Sequence, residues 1–240
     1  MNLATSLGLT RGVLVQPSVY GTDNRTTLAA FEGNPAFRRV VVVDPDTPVQ
    51  SLREMTNAGV VGARINLLFS GGPAKEDVTA LAALAARQGW HLQFLLDVNR
   101  VDDLAEFVRD IPVPVVFDHM GHVPAKGGAK APGFQALLRL LDGSNVWVKL
   151  SGAYRLTGKD RTPYADVAPL ARALIAANPE RLVWGTDWPH PQIRTKMPDA
   201  DALLDLLGDW AGDATTFHRI LVQNPEHLYG FDPLEDTRGA

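Results

Sequence analysis

Seven short runs of apolar and β-branched residues recur along the chain, and each is nearly continuous rather than alternating. Continuous apolar character is typical of parallel strands that are covered on both faces. The seven predicted strands are Gly12–Gln16, Val40–Val43, Ala63–Leu67, Leu92–Leu96, Val113–Phe117, Val146–Leu150 and Leu182–Trp184.

Segments with helical periodicity separate these strands and follow the last one. The clearest are Thr47–Ala58, Asp77–Gln88, Tyr164–Asn178, Asp199–Leu207 and Thr215–Leu221. Strand–helix alternation indicates right-handed βαβ units and one parallel sheet. A helix-like start at Asn2–Leu7 leads straight into the first strand, so the pattern predicts an α/β fold of the (β/α)8 TIM-barrel type whose first strand is missing. An open seven-stranded sheet is the alternative, but closure removes exposed edges.

Length and composition narrow the functional classes. The 240 residues fit a single domain over residues 1–240, because barrels of this type commonly run to about 250 residues. The net charge is −4 and no run of Lys or Arg occurs, which argues against nucleic-acid and membrane partners. With no cysteine, disulfides, thiolate metal sites and Cys nucleophiles are excluded. The first residues resemble no secretory signal, so we expect a cytoplasmic protein. No pattern indicates an oligomeric state.

Polar side chains follow several predicted strands, where a barrel keeps its active site. Asp187 comes after the last strand, within Trp184–Pro191, and is predicted to be a catalytic acid or base; a helix-capping aspartate is the alternative. His119 ends strand five in a glycine-bounded turn and is the second catalytic candidate, the alternative being a structural histidine. Arg64 lies inside strand three and indicates an anionic ligand, because a buried cation needs a partner; a structural ion pair is the alternative.

Further polar residues lie near the same strand ends. Gln16 and Ser18 are two positions apart and are predicted to share one face, with Tyr20 just beyond. Arg155 follows strand six, and His190 lies close to Asp187. Structural roles are predicted for His91 and Lys149.

Six segments together resemble one known family, the amidohydrolase-2 group of TIM barrels, and within it the 2-pyrone-4,6-dicarboxylate hydrolases and related lactonases. The resemblance runs from about Leu7 to Tyr229. The segments that carry it are Gln16–Asn24, Val42–Pro45, Gly62–Leu67, Asp118–Gly121, Lys149–Arg155 and Trp184–Pro191.

The resemblance implies hydrolytic ring opening of a lactone or pyrone that bears carboxylate groups, in the degradation of aromatic compounds. In that reaction Asp187 acts as general base on the attacking water, and His119 orients or polarises the carbonyl. The implied substrate-binding residues are Ser18, Tyr20, Arg64, Arg155 and His190, with the two arginines on the substrate carboxylates. A carboxylate base, a positioned water and fixed cations are chemically consistent with this role.

Two departures from the family pattern change what can be expected. The first strand of the family carries a His-x-His pair, and no such pair occurs on any strand of this sequence. This departure predicts that the chain is truncated at its N-terminus, before Met1. After Asn66 the run Leu67–Gly72 lacks the further basic residue that the dicarboxylate hydrolases carry, so the dicarboxylate is one of several possible lactones. For a metal, only His119 and Asp187 remain as ligands. No metal cofactor is therefore predicted; a single divalent metal such as zinc is the alternative if the missing strand is present.

Three functions remain open. The first is a metal-independent hydrolase that acts on an anionic cyclic ester. The second is a mononuclear-metal decarboxylase or sugar lactonase of the same superfamily, which metal dependence would distinguish. The third is a catalytically inactive fragment or a binding protein that keeps an arginine-lined pocket.

Overall fold

The computed structural model describes residues 3–69, 73–143, 145–191, 193 and 196–234. Within them, seven parallel strands form one curled α/β sheet of the TIM-barrel type, in the order in which they occur in the chain. They are β1 (Gly12–Val15), β2 (Phe37–Val41), β3 (Val60–Asn66), β4 (His91–Leu95), β5 (Val115–Phe117), β6 (Val146–Leu150) and β7 (Leu182–Trp184). The predicted fold class and all seven strands are confirmed.

Strand β2 begins three residues before its predicted start, because two arginines interrupt the apolar pattern there. Arg39 is buried all the same, and its guanidinium donates hydrogen bonds to three backbone carbonyls, those of Thr27, Ala30 and Ala58, at 3.3, 2.6 and 2.8 Å. A buried cation is tolerated where its donors are satisfied. Periodicity alone does not reveal such partners.

Helices connect the strands and cover the outer face of the sheet. They are α1 (Leu3–Ser6), α2 (Arg25–Ala29), α3 (Val49–Asn57), α4 (Val78–Gln88), α5 (Leu104–Arg109), α6 (Pro132–Leu141), α7 (Ala153–Leu156), α8 (Ala168–Ala177), α9 (Ala200–Ala211), α10 (Ala214–His218) and α11 (Asn224–Tyr229). Helices α2, α5, α6 and α7 were not predicted. The sequence predicted a tail after Leu221, yet α11 is ordered there because Asn224 donates to the carbonyls of Pro179 and Leu182, at 2.8 and 2.6 Å.

The two faces of the sheet have different contents. The outer face packs its apolar side chains, such as Ile65, Phe94 and Val148, against the helices. The inner face holds a smaller apolar cluster near the amino ends of the strands, formed by Val116, Trp147, Val183, Tyr229 and Phe231. Because side chains alternate along a strand, the residues two positions after Val116 and Trp147 point to the same interior but nearer the carboxyl ends. Those residues are Asp118 and Lys149, and both are polar.

His91, at the start of β4, is buried beside Tyr229, with 5.5 Å between the two ring centroids. Its ring also fills the space that a side chain on Gly62 would need, since a Cβ there would lie 2.3 Å from the ring. The predicted structural role of His91 agrees with this packing at the end of the barrel opposite the polar residues.

No helix among the described residues is long and apolar enough to cross a membrane.

Candidate active site

Asp187 lies just beyond β7 with a backbone φ of 58°. Its Oδ2 atom accepts hydrogen bonds from Arg155 Nε at 2.6 Å and from the Tyr154 hydroxyl at 2.5 Å. Its Oδ1 atom faces His119 Nε2 at 3.8 Å, which is too long for a direct hydrogen bond. One carboxylate oxygen is therefore held by two donors, and the other has no direct side-chain hydrogen bond among the described residues.

The charge state of Asp187 follows from these partners. Burial by itself raises the pKa of its carboxyl group, but the interactions with His119, Arg155 and Tyr154 outweigh burial and lower the pKa below the ordinary value. Asp187 is thus ionised at neutral pH.

His119, at the end of β5, makes its other contact with the end of the neighbouring strand β6, where Ser151 Oγ lies 2.8 Å from Nδ1. Burial lowers the pKa of His119 to about 4, although Asp187 and Asp118 act in the opposite direction. The imidazole is therefore neutral at neutral pH. Because a carboxylate only accepts hydrogen bonds, we assign the proton to Nε2, facing Asp187, and the Ser151 hydroxyl as donor to Nδ1.

Gly152 makes the approach of His119 possible. Its φ is 63°, and a Cβ at this position would lie 2.7 Å from His119 Nδ1. Helix α7 begins directly after it. The short segment Ser151–Arg155 therefore supplies the partner of His119 as well as both donors to Asp187.

A second polar cluster lies deeper in the barrel, around Asp118. Its carboxylate accepts from Lys149 Nζ at 2.8 Å and from Gln93 Nε2 at 3.0 and 2.9 Å, and Arg64 Nε lies 3.5 Å away. Although burial raises the pKa of Asp118, the nearby Lys149 charge holds it well below its ordinary range. The predicted structural salt bridge of Lys149 is confirmed. For Arg64, the structural ion pair that was the alternative is also present, with the same carboxylate.

Ser18 joins the deep cluster to the loop after β1. Its hydroxyl oxygen accepts hydrogen bonds from Arg64 Nη1 at 2.9 Å and from Asn66 Nδ2 at 2.8 Å. With both lone pairs used, the Ser18 hydroxyl proton is directed away from these two donors. No described residue accepts a hydrogen bond from it or from Arg64 Nη2, so both remain as donors for a ligand.

The prediction that Gln16 and Ser18 share a face was wrong. Gln16 Nε2 donates to the carbonyls of Gly21 and Asp23, at 3.1 and 2.8 Å, and its Oε1 accepts from Thr27. Strand β1 ends at Val15, and a 3₁₀ turn then begins at Ser18, so the alternation of a strand no longer applies there.

The remaining predicted site residues are placed less centrally. Tyr20 is half exposed, and no hydrogen bond or ring contact joins its side chain to a described residue. His190 is buried, its backbone N–H donates to the Asp187 carbonyl at 2.8 Å, and its ring lies edge-on to the Tyr154 ring with 5.3 Å between centroids. Their roles in binding substrate stay predictions. Sequence reasoning assigned no role to Tyr154 or Ser151; the sole signal was their position directly after β6.

The described residues do not fit a metal ion. Among them, no group of three or more His, Asp or Glu side chains is arranged to hold one. Asp187 is already paired with the Arg155 guanidinium, and the positive charge of that group would repel a metal cation at the same carboxylate. The absence of a metal cofactor stays a prediction for experiment.

Comparison with known proteins gives consistent matches over nearly the whole chain. A family model described as amidohydrolase matches residues 2–231. A 4-sulfomuconolactone hydrolase of Hydrogenophaga intermedia is 35% identical, with 96% of this chain and 78% of that protein covered. A D-galactarolactone isomerase of Agrobacterium fabrum is 36% identical, with 96% and 80% covered. The crystal structure of a candidate 2-pyrone-4,6-dicarboxylic acid hydrolase from Pseudomonas putida superimposes with a TM-score of 0.83 at 34% identity, covering 97% of this chain and 88% of that one.

Proposed function

Because the chain belongs to the amidohydrolase family, we propose that it is a hydrolase that opens an anionic cyclic ester, a lactone or pyrone bearing carboxylate, with Asp187 as general base. The observation that carries the proposal is the pair of Asp187 and His119. An ionised carboxylate with one open oxygen faces a neutral imidazole N–H across 3.8 Å. The names of two similar proteins, which are hydrolases of a sulfomuconolactone and of a pyrone dicarboxylate, support the same reaction class.

The proposed reaction uses the two groups in sequence. Asp187 Oδ1 removes a proton from a water molecule as the water oxygen attacks the lactone carbonyl. His119 Nε2–H donates a hydrogen bond to the carbonyl oxygen, which becomes negative in the tetrahedral intermediate. When the ring C–O bond breaks, the departing ring oxygen takes the proton back from Asp187. The product is the open hydroxy acid, or its keto form when the lactone is an enol ester.

The experiment that tests the proposal is a substrate panel followed by NMR. We expect the purified protein to open at least one of 2-pyrone-4,6-dicarboxylate, 4-sulfomuconolactone and D-galactarolactone to an acyclic acid. Failure to open any anionic lactone, by a protein that is folded by circular dichroism, would remove the proposal.

Lactone isomerisation is a second candidate, favoured by the 36% identity to a galactarolactone isomerase. There the base would act on a hydroxyl group of the substrate in place of water. The two reactions differ in the mass of the product, because only hydrolysis adds the elements of water.

The activity should not depend on a metal. If Asp187 and His119 act as described, we expect protein that has been treated with a chelator and freed of metal to keep its full kcat, and added zinc to give no increase. Metal analysis of the same sample checks the treatment. Loss of activity that one equivalent of zinc restores would instead favour the mononuclear-metal alternative.

The pH profile should be flat on its acid side. Asp187 must be ionised and His119 neutral, and both groups keep these states above about pH 5, because the pKa of Asp187 is lowered from 3.8 and that of His119 lies at about 4. We therefore expect kcat to be constant between about pH 5 and 8. An acid limb near pH 6.5 would show that His119 titrates like a solvent-exposed histidine.

Replacement of Ser151 by alanine should lower kcat about tenfold, because His119 Nδ1 then loses its donor and the Nε2–H tautomer is less favoured. Nitrogen NMR of the imidazole reports the tautomer directly. Ser151→Thr, which keeps the hydroxyl, is the matched control and should retain most of the activity. Unchanged tautomer populations in Ser151→Ala would contradict the assignment.

A further inference from the structure

The charges in the two polar clusters are not distributed evenly. In the outer cluster, the Asp187 carboxylate and the Arg155 guanidinium balance each other through a contact of 2.6 Å. In the inner cluster, one carboxylate, Asp118, lies between two cations, Lys149 at 2.8 Å and Arg64 at 3.5 Å. His119 is neutral at neutral pH. The five charged side chains of the two clusters therefore carry a single excess positive charge, and it belongs to the inner cluster.

Two of the three guanidinium nitrogens of Arg155 are engaged by the loop after β7, while Nη1 has no acceptor among the described residues. Nε donates to Asp187 Oδ2, Nη2 donates to the Pro191 carbonyl at 3.2 Å, and the group lies over the Tyr154 ring, 5.1 Å from its centroid. A substrate carboxylate placed on Arg155 would share one cation with the Asp187 carboxylate. Two anions that share one cation repel each other, and the added charge would raise the pKa of the base.

Arg64 offers a different environment. Its Nη2 and the Ser18 hydroxyl proton have no acceptor among the described residues, and the excess charge of the inner cluster lies behind them. Arg64 is 8% exposed and Lys149 is 9% exposed, so water screens this charge weakly. A single carboxylate or sulfonate at this point would complete the charge balance of the interior.

We infer that Arg155 is a positioning residue for Asp187 rather than a ligand of a substrate anion, and that the preferred substrates are lactones with one anionic group. This rests on the proposed lactone hydrolysis and differs from the role that the family resemblance implies for Arg155. Oδ2 of Asp187 is fixed by Arg155 and Tyr154, and Oδ1 is thereby directed to the water.

The first test compares a matched pair of substrates, 2-pyrone-6-carboxylate and 2-pyrone-4,6-dicarboxylate. Each kcat/KM is divided by the rate constant for hydrolysis of the same pyrone by hydroxide, which removes the difference in intrinsic reactivity. We expect the monocarboxylate to be preferred at least tenfold. A preference for the dicarboxylate would overturn the inference and leave the hydrolase proposal standing.

The second test uses variants of Arg155 on the same pair. Arg155→Met should lower kcat about 100-fold, equally for both pyrones, and leave KM within threefold of the wild-type value. It should also move the acid limb of the kcat profile to higher pH. Arg155→Lys should recover part of kcat. A rise in KM confined to the dicarboxylate would show that Arg155 binds the second anion and would overturn the inference.

A binding measurement keeps the charge inference independent of turnover. Isothermal titration of the wild-type protein with benzoate and with benzene-1,3-dicarboxylate compares planar rings that carry one and two carboxylates. Benzoate should bind at least as tightly, and Arg64→Met should weaken it about tenfold or more. Tenfold tighter binding of the dicarboxylate, or equal binding of benzoate to Arg64→Met, would contradict a single anion site at Arg64.

Discussion

Replacing Asp187 with asparagine should lower kcat for lactone opening by about 10³-fold, which lies within the range for loss of a general base. Asparagine keeps the shape of the side chain, and its carbonyl oxygen can still accept from Arg155 and Tyr154, so the loop keeps its donors satisfied. The amide cannot remove a proton from water. Steady-state kinetics gives kcat, and thermal unfolding followed by circular dichroism shows that the variant is folded.

Glu226→Gln is the matched control. Glu226 is an arginine-paired carboxylate with 17% of its side chain exposed, against 16% for Asp187, and its partner Arg11 lies at the amino ends of the strands. This variant removes the same charge at the opposite end of the fold and should keep wild-type kcat. If Asp187→Asn retained near-wild-type kcat while remaining folded, Asp187 would not be the base.

Replacing Arg64 with methionine should raise KM for an anionic lactone about 100-fold, since a charge-assisted hydrogen bond to a buried anion is worth about 1.5–3 kcal/mol or more. The interior tolerates the change because Asp118 keeps Lys149 at 2.8 Å, and one carboxylate then faces one cation. The KM for a neutral lactone with the same ring should rise much less. Initial rates over a range of concentrations for both lactones measure this difference.

The control for Arg64 comes from the same cluster. Lys149→Met also removes one buried cation beside Asp118, but among the described residues Lys149 donates to Asp118 alone, whereas Arg64 also reaches the Ser18 hydroxyl. We expect a rise in KM of at most tenfold. If the two variants had equal effects, total charge rather than the Arg64 contact would govern affinity.

The sequence was sufficient to predict the strands that carry the site and the main polar residues on them. Continuous apolar runs located all seven strands, and two polar residues that follow them, Asp187 and His119, lie at the carboxyl ends as barrel geometry requires. These features depend on local pattern and on one topological rule. They survive errors of a few residues in the strand boundaries.

The contacts inside the site could not be predicted in the same way. Ser151 reaches His119 from the neighbouring strand, and Arg155 turns toward Asp187, because the chain leaves β6 through Gly152 in a left-handed conformation. Alternation along a strand gives no direction for side chains beyond its end, which is also why Gln16 was placed on the wrong face. Burial then sets the neutral state of His119, and no sequence pattern reports burial at a strand end.

The most direct test of Asp187-assisted hydrolysis is mass spectrometry of the product formed in ¹⁸O-enriched water from an anionic lactone that the protein consumes. Hydrolysis predicts a product heavier than the lactone by one water molecule, with a single ¹⁸O in the new carboxylate, and no such product from Asp187→Asn at comparable times. A product with the mass of the starting lactone and no ¹⁸O would contradict hydrolysis and identify the reaction as isomerisation.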